Sequence, residues 1–240
     1  MAEIRVDETL DVVALAEAYR RHGRIQIGGF LMEEDARALL RELASSDRWK
    51  LTFNRGDRVI DLGPAAYAAL SADERRAIAN GIVEDGRERF QFCYDVIRDA
   101  PDDPSGGALG RFVRFLNSAP VLDLFRRITG LETLATIDGH ASRYGHGHFL
   151  TTHDDEQPGK ARRAAYVMNL SPGWRPDWGG LLQFFDGQGN VTRAFTPAWN
   201  ALNLFAVPQA HSVSWVTPLA RHPRHAITGW LLDPAPMPAG

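Results

Sequence analysis

A chain of 240 residues, 44% hydrophobic and 24% charged, has the make-up of a soluble globule with enough apolar material for a sizeable core, which excludes disordered and fibrous classes. The formal charge of -3 is interspersed along the length without a basic stripe, so neither nucleic acid nor an anionic membrane is expected as a partner. Cys93 is the only cysteine, which excludes an internal disulfide and a cysteine-based zinc cage; with the acidic start Met1-Ala-Glu-Ile-Arg-Val-Asp-Glu and no membrane-length apolar run, a cytoplasmic protein is expected.

Apolar residues recur at helical spacing from Leu10 to Tyr19, and His22-Gly23 supplies a stop, predicting a first amphipathic helix. Ile25 to Leu31 reads as a strand, and Met32 to Leu43 as a second helix whose first turn carries Glu33, Glu34 and Asp35 at the positive end of the dipole. Trp49 to Ile60 reads as a hairpin. Ser71 and Glu74 form a capping box that starts a helix through about Glu84, and Arg89 to Ile97 alternates as a strand does. The turn-rich stretch from Asp99 to Gly107 predicts a loop, and a helix is expected from about Leu109 to Ile128. Beyond it the pattern turns to short strands, near 134–138, 140–144, 147–153, 164–170, 180–185, 191–195, 201–206, 211–216 and 224–232. That spacing is what an antiparallel double-sheet jelly roll produces. The expected fold is therefore mostly β with N-terminal helices: one domain over 1–240, with a support region over 1–130 and a double-stranded β-helix, jelly-roll or cupin-like, over 131–235.

Chemistry concentrates in the strand-rich half. In Phe149-Leu-Thr-Thr-His153-Asp-Asp155, a strand end would place His153 and Asp155, two apart, on one side where they can share a cation. His211 begins a later strand after an apolar run and a proline-bearing turn. Two imidazoles and one carboxylate on one face of a metal leave positions open, the ligand set of non-haem Fe(II) oxygenases; zinc enzymes use similar sets, so the triad alone leaves both open. Arg224 opens the last strand, Arg-His-Ala-Ile-Thr-Gly-Trp230, expected to lie beside the strand of His211. Its guanidinium can grip a carboxylate through two parallel hydrogen bonds while the other end of such a ligand chelates the metal.

Taken together, Tyr144-Gly-His-Gly-His-Phe-Leu-Thr-Thr-His-Asp-Asp, Arg162-Arg-Ala-Ala-Tyr-Val-Met-Asn-Leu, Trp178-Gly-Gly-Leu-Leu-Gln-Phe-Phe, Asn203-Leu-Phe, His211-Ser-Val and Arg224-His-Ala-Ile-Thr-Gly-Trp resemble the Fe(II)/2-oxoglutarate dioxygenases of the prolyl-hydroxylase type, across about residues 140–232. The resemblance implies a double-stranded β-helix with Fe(II) at His153, Asp155 and His211. It places 2-oxoglutarate on Arg224 with a hydrogen bond from Tyr144, makes O2 the second cosubstrate, and allows ascorbate as an accessory reductant. It further implies a hydroxylase, most simply of a prolyl residue in a protein or peptide, releasing succinate and CO2. A free amino acid or small metabolite is the rival substrate, and a monomer or homodimer is expected. An acid at position 155 speaks against halogenation, where a small residue would admit chloride. Some animal members carry a cosubstrate-binding tyrosine at what corresponds to Val167; here the neighbouring tyrosine is Tyr166, on the opposite strand face.

Blander readings compete at each position. Asp154 is the rival acid, expected to point away from His153 and cap the loop. Arg221 is the rival clamp, but it precedes His-Pro in a turn. His140, His146 and His148 could suggest a second metal site, yet no acid or cysteine accompanies them at ligand spacing. Gly179 and Gly180 read as a bend passed closely by another backbone, Arg162 and Arg163 as solvated or functional, and the tryptophans as core or rim packing. A non-catalytic jelly-roll binder would be expected to have lost one of the four key residues, and a zinc hydrolase would leave Arg224 without a task. The segments Asp99–Gly107 and Trp49–Asp61 are the candidate lids.

Overall fold

The computed structural model describes residues 3–98, 107–157 and 159–234. Helix α1 (Val12–His22) begins where the Asp11 carboxylate accepts from the Ala14 N–H, and ends at Gly23, whose φ of 64° is the left-handed turn that glycine adopts without a Cβ clash. Strand β1 (Arg24–Gly28) leads into α2 (Glu33–Ala44), and the expected hairpin forms from β2 (Lys50–Arg55) and β3 (Arg58–Leu62). A short helix α3 (Pro64–Ala69), too brief to show apolar periodicity, precedes α4 (Ala72–Glu88). The Ser71–Glu74 capping box forms as expected, and α4 runs four residues past Glu84.

Strand β4 (Phe92–Ile97) follows; the turn-rich stretch after it lies, up to Gly107, outside the described residues. The single helix expected over 109–128 is two, α5 (Ala108–Leu116) and α6 (Ala119–Thr129). Pro120 lacks an N–H, and its ring would meet the Leu116 carbonyl in a continuous helix, so the chain breaks at Asn117-Ser118 and restarts with the proline in the first turn. Asn117 then uses its amide on the Val113 and Ile137 carbonyls and accepts from the Ile137 N–H, tying the break to the sheet.

All nine strands expected after residue 134 have a counterpart: β5 (Thr136–Ile137), β6 (His140–Tyr144), β7 (Phe149–His153), β8 (Arg162–Asn169), β9 (Leu182–Phe185), β10 (Val191–Phe195), β11 (Ala201–Ala206), β12 (His211–Val213) and β13 (Arg224–Leu232). Pairing is antiparallel, in the order β1-β11-β8-β13-β6-β4-β7-β12-β9-β10. One wall is β1-β11-β8-β13-β6 and the other β7-β12-β9-β10. Strand β4 joins them by pairing β6 through Asp95–Ile97 and β7 through Phe92 and Cys93. The result is a nearly closed antiparallel sheet of the double-stranded β-helix kind.

Alternation along the strands separates helix-facing from inward residues. Tyr166 and Met168 of β8 and Leu202 and Leu204 of β11 join Phe30, Phe112 and Phe125 in the main core, while Ala165 and Val167 face the interior. Each such buried apolar side chain contributes about 1.5–3 kcal/mol, so the helices act as a rigid backing for the first wall. One expectation fails here: β13 pairs β5, β6 and β8, whereas β12 pairs β7 and β9. Arg224 and His211 are therefore not on neighbouring strands but face each other across the interior, an order that long-range pairing decides and local spacing does not reveal.

Candidate active site

His153 closes β7 and His211 opens β12, and the two are direct cross-strand partners with ring centroids 4.1 Å apart. Asp155 joins them, with Oδ1 3.5 Å from His153 Nε2 and Oδ2 3.4 Å from His211 Nε2. One ligand atom from each lies within 4.8 Å of the others, the only such His, Cys, Asp and Glu cluster among the described residues. Each imidazole is oriented by its own backbone: Nδ1 of His153 sits 3.0 Å from the Thr151 carbonyl, and Nδ1 of His211 2.7 Å from that of Gln209. A carbonyl can only accept, so Nδ1 carries the proton and Nε2 presents its lone pair to the cluster.

The electrostatics agree. Burial, with the neighbouring His153, pushes His211 down to about 4, so it is neutral and able to ligate. Burial alone would raise the Asp155 carboxyl, but its two imidazole neighbours, His153 foremost, hold it below the ordinary carboxylate range.

Asp155 does not reach the cluster by strand alternation as expected. Strand β7 stops at His153, and Asp155 has φ 66°, in the left-handed region that aspartate tolerates better than bulkier residues. Arg162 holds this turn from β8, its Nη1 donating to the Asp155 carbonyl at 3.1 Å while the guanidinium lies 3.5 Å over the Trp230 ring. The arginine left open between solvent and function is thus buried against the acid. Asp154 is exposed and accepts from the Glu156 N–H, a local loop contact.

Arg224 lies across a cavity of about 370 Å³ that the three residues also line, with Tyr144 as its β6 partner. It is among the most deeply buried side chains, 2% exposed, yet among the described residues its Nε and Nη1 have no hydrogen-bond partner and Nη2 has only Asn169 Oδ1 at 3.4 Å. Burial lowers its pKa, an effect partly opposed by Tyr144, whose ring centroid lies 5.2 Å from the guanidinium carbon. Burial pushes Tyr144 well above its ordinary value, so the phenol keeps its proton as a donor. Buried cationic donors without partners are costly, and an anion is what they lack. Arg221 is exposed.

Residues 139–232 match the family model of the 2OG-Fe(II) oxygenase superfamily. The matched stretch runs from just before β6 to the end of β13 and includes Tyr144, His153, Asp155, His211 and Arg224. That superfamily implies Fe(II), 2-oxoglutarate and O2, and the residues present fit: two Nε2 atoms and a carboxylate converge on one point, and the unpartnered Arg224 nitrogens await a carboxylate. A stretch of 116 residues is 32% identical to prolyl 3-hydroxylase OGFOD1 of Mus musculus, covering 45% of this chain and 21% of that protein. The Xenopus laevis counterpart is 34% identical over 110 residues, 43% of this chain and again 21% of the relative, so the chain matches about a fifth of these proteins' length. Among solved structures, the prolyl hydroxylase of Trichoplax adhaerens in complex with a hypoxia inducible factor peptide fragment superposes with a TM-score of 0.61 at 18% identity, covering 92% of this chain and 89% of that one. A Pseudomonas putida prolyl-4-hydroxylase gives a TM-score of 0.54 at 18% identity, with 92% and 98% covered. These two likenesses show the shared fold.

Around this cavity the remaining residues sort themselves. Tyr166 faces the helix side and donates to the Asp138 carbonyl, whereas Val167 lines the cavity, so no tyrosine stands there. A Cβ on Gly179 would fall 1.9 Å from the Trp215 carbonyl oxygen, and both Gly179 and Gly180 have positive φ, which makes this bend structural. Trp174 and Trp178 are core, and Trp230 lines the cavity. His146 Nε2 is used on the Ala220 carbonyl, and His148 Nδ1 accepts from the Gly145 N–H, so with His140 they form no second cluster. An aromatic row escaped the reading of the sequence: Phe90, Phe92 and Tyr94 line the cavity beside and along β4. Their spacing of two along an expected strand was the available signal. Of the expected lids, Trp49–Asp61 forms the β2–β3 hairpin and contributes nothing to this cavity, and the Asp99–Gly107 loop lies outside the described residues apart from Gly107.

Proposed function

We propose that this chain is an Fe(II)- and 2-oxoglutarate-dependent dioxygenase that hydroxylates a C–H bond of a prolyl residue in a protein or peptide, with release of succinate and CO2. The observation that carries the reading is the pairing, in one cavity, of the His153–Asp155–His211 cluster with a buried Arg224 whose Nε and Nη1 lack partners. When bound, iron with 2-oxoglutarate and O2 would supply the oxidising power for hydroxylation. The protein's share is binding, orientation and exclusion of side reactions.

His153, Asp155 and His211 would hold the metal from one side, leaving positions open, and their backbone hydrogen bonds keep the Nε2 lone pairs aimed before it arrives. Arg224 would take the distal carboxylate of 2-oxoglutarate in its fork, with the protonated Tyr144 hydroxyl as a further donor. Aromatic walls from Tyr94 and Trp230 limit water in the cavity. Arg162 would keep Asp155 turned inward. Ascorbate would serve only as an external reductant that keeps the iron ferrous, and we assign no residue to it. A reducing cytoplasm suits the same need.

The prolyl substrate is argued from the 32% identity to prolyl 3-hydroxylase OGFOD1 over 116 residues. Incubation with Fe(II), 2-oxoglutarate and a proteome-derived peptide pool should give succinate together with a one-oxygen mass gain on a prolyl residue. Succinate formation stimulated by free amino acids and by no peptide would move the substrate to the small-metabolite class.

A further inference from the structure

Strands β6 and β13 run antiparallel with Tyr144 opposite Arg224 and His140 opposite Thr228. The cavity is lined from this wall by His140, Ser142 and Tyr144 and by Arg224, Thr228 and Trp230, as a period of two requires. His140 thus sits four residues along the strand from Tyr144, roughly 13 Å at ~3.3 Å per residue. A five-carbon dicarboxylate spans only about 5 Å between its end carbons, given C–C bonds of ~1.5 Å. Anchored on Arg224, it ends well short of His140.

The imidazole is held in place. It stacks on Tyr94 with centroids 6.4 Å apart and planes 18° from parallel, and leans on Trp230 at 6.1 Å. Unlike His146 and His148, it makes no hydrogen bond to any described residue. Burial, reinforced by the charge of Arg98, pushes it down to about 4, so at neutral pH the ring offers one N–H and one lone pair and no charge. A fixed, neutral, two-way hydrogen-bonding group facing the cavity suits an amide better than a carboxylate or an ammonium.

We propose that His140 is a positioning residue for the primary substrate, taking an amide group of the bound peptide through hydrogen bonds at the end of the cavity away from Arg224. The assignment rests on the functional reading above and gives it a specificity contact. The test compares the parent with His140→Phe, which keeps an aromatic ring without its nitrogens, and His140→Gln, which restores a donor and an acceptor. In each, the 2-oxoglutarate affinity is taken from an anaerobic Fe(II) titration, and the KM is measured for the prolyl peptide that most stimulates succinate formation by the parent. His140→Phe should raise the peptide KM about tenfold and His140→Gln no more than about threefold, while 2-oxoglutarate affinity moves less than about twofold. An unchanged peptide KM in His140→Phe, or an equal loss of 2-oxoglutarate affinity, would overturn the assignment. A parent that shows the Fe(II)/2-oxoglutarate absorption band but is stimulated by no peptide would overturn it as well, whereas a parent without the band would overturn the functional reading itself.

Discussion

The two walls of the cavity solve opposite problems. On the β7–β12 wall the supports of the cluster are already in place: the Nδ1 atoms bond backbone carbonyls, and the Asp155 turn is held by Arg162 through its carbonyl. On the β6–β13 wall a guanidinium is buried with two of its nitrogens unpartnered. The first wall is pre-organised around a cation that three neutral or negative donors can hold without rearrangement. The second carries an unmet demand for an anion, which lowers the stability of the ligand-free protein and is relieved on binding. Ligand removal should therefore act differently on the two sides.

The largest effect is expected at the metal wall. Asp155→Ala removes its only anionic donor and should lower succinate formation at least ~100-fold, while Asp154→Ala, exposed and used in a local loop contact, should retain most activity. Equal loss in both, measured as succinate released per minute, would show that the wrong acid has been assigned. Next in size is the anion wall. Arg224→Lys should weaken 2-oxoglutarate binding about 10–100-fold, because a point charge cannot reproduce the fork. Arg224→Met should abolish that binding and yet leave the ligand-free protein about 1–4 kcal/mol more stable to urea, since an unpaired buried charge is gone. A ligand-free Arg224→Met protein markedly less stable than the parent would contradict the asymmetry between the walls.

The smallest effect concerns two further histidines of the second wall. His140 on β6 and His225 on β13 are both pushed down to about 4, chiefly by burial, from an ordinary 6.5. The unfolded chain takes up protons as pH falls through about 6.5, while the folded chain does not until near 4. Their contribution is therefore intact above 6.5 and is lost progressively as pH drops toward 4. By pH 5 the loss should be about 2 kcal/mol per histidine. The urea midpoint should fall between pH 7 and pH 5, and less so in His225→Phe. A midpoint as pH-sensitive in that variant as in the parent would remove His225 from the account.

What could be read in the sequence followed from short range. Alternation located the nine strands, Ser71 and Glu74 their helix start, and the residue types of His153, Asp155 and His211 marked them as a candidate cluster, which the fold brings together. What could not be read depended on distant contacts or rare backbone states. The side of Asp155 is set by a left-handed turn held from β8 by Arg162, not by strand alternation. That β12 and β13 stand on different walls is decided by β4, which inserts between β6 and β7 from the N-terminal half. The broken helix was legible in principle, since Ser118 and Pro120 carry the start signal of α6, but the apolar periodicity running through it hid the break.

The central claim is that one ferrous ion and one dicarboxylate bridge the two walls. Anaerobic titration tests it most directly, with Fe(II) and 2-oxoglutarate added together and singly to the parent, Asp155→Ala and Arg224→Met. The account predicts a visible charge-transfer band in the parent only when both are present, and none in either variant at the same concentrations. A band of parental strength in either variant, or none in the parent, would contradict it.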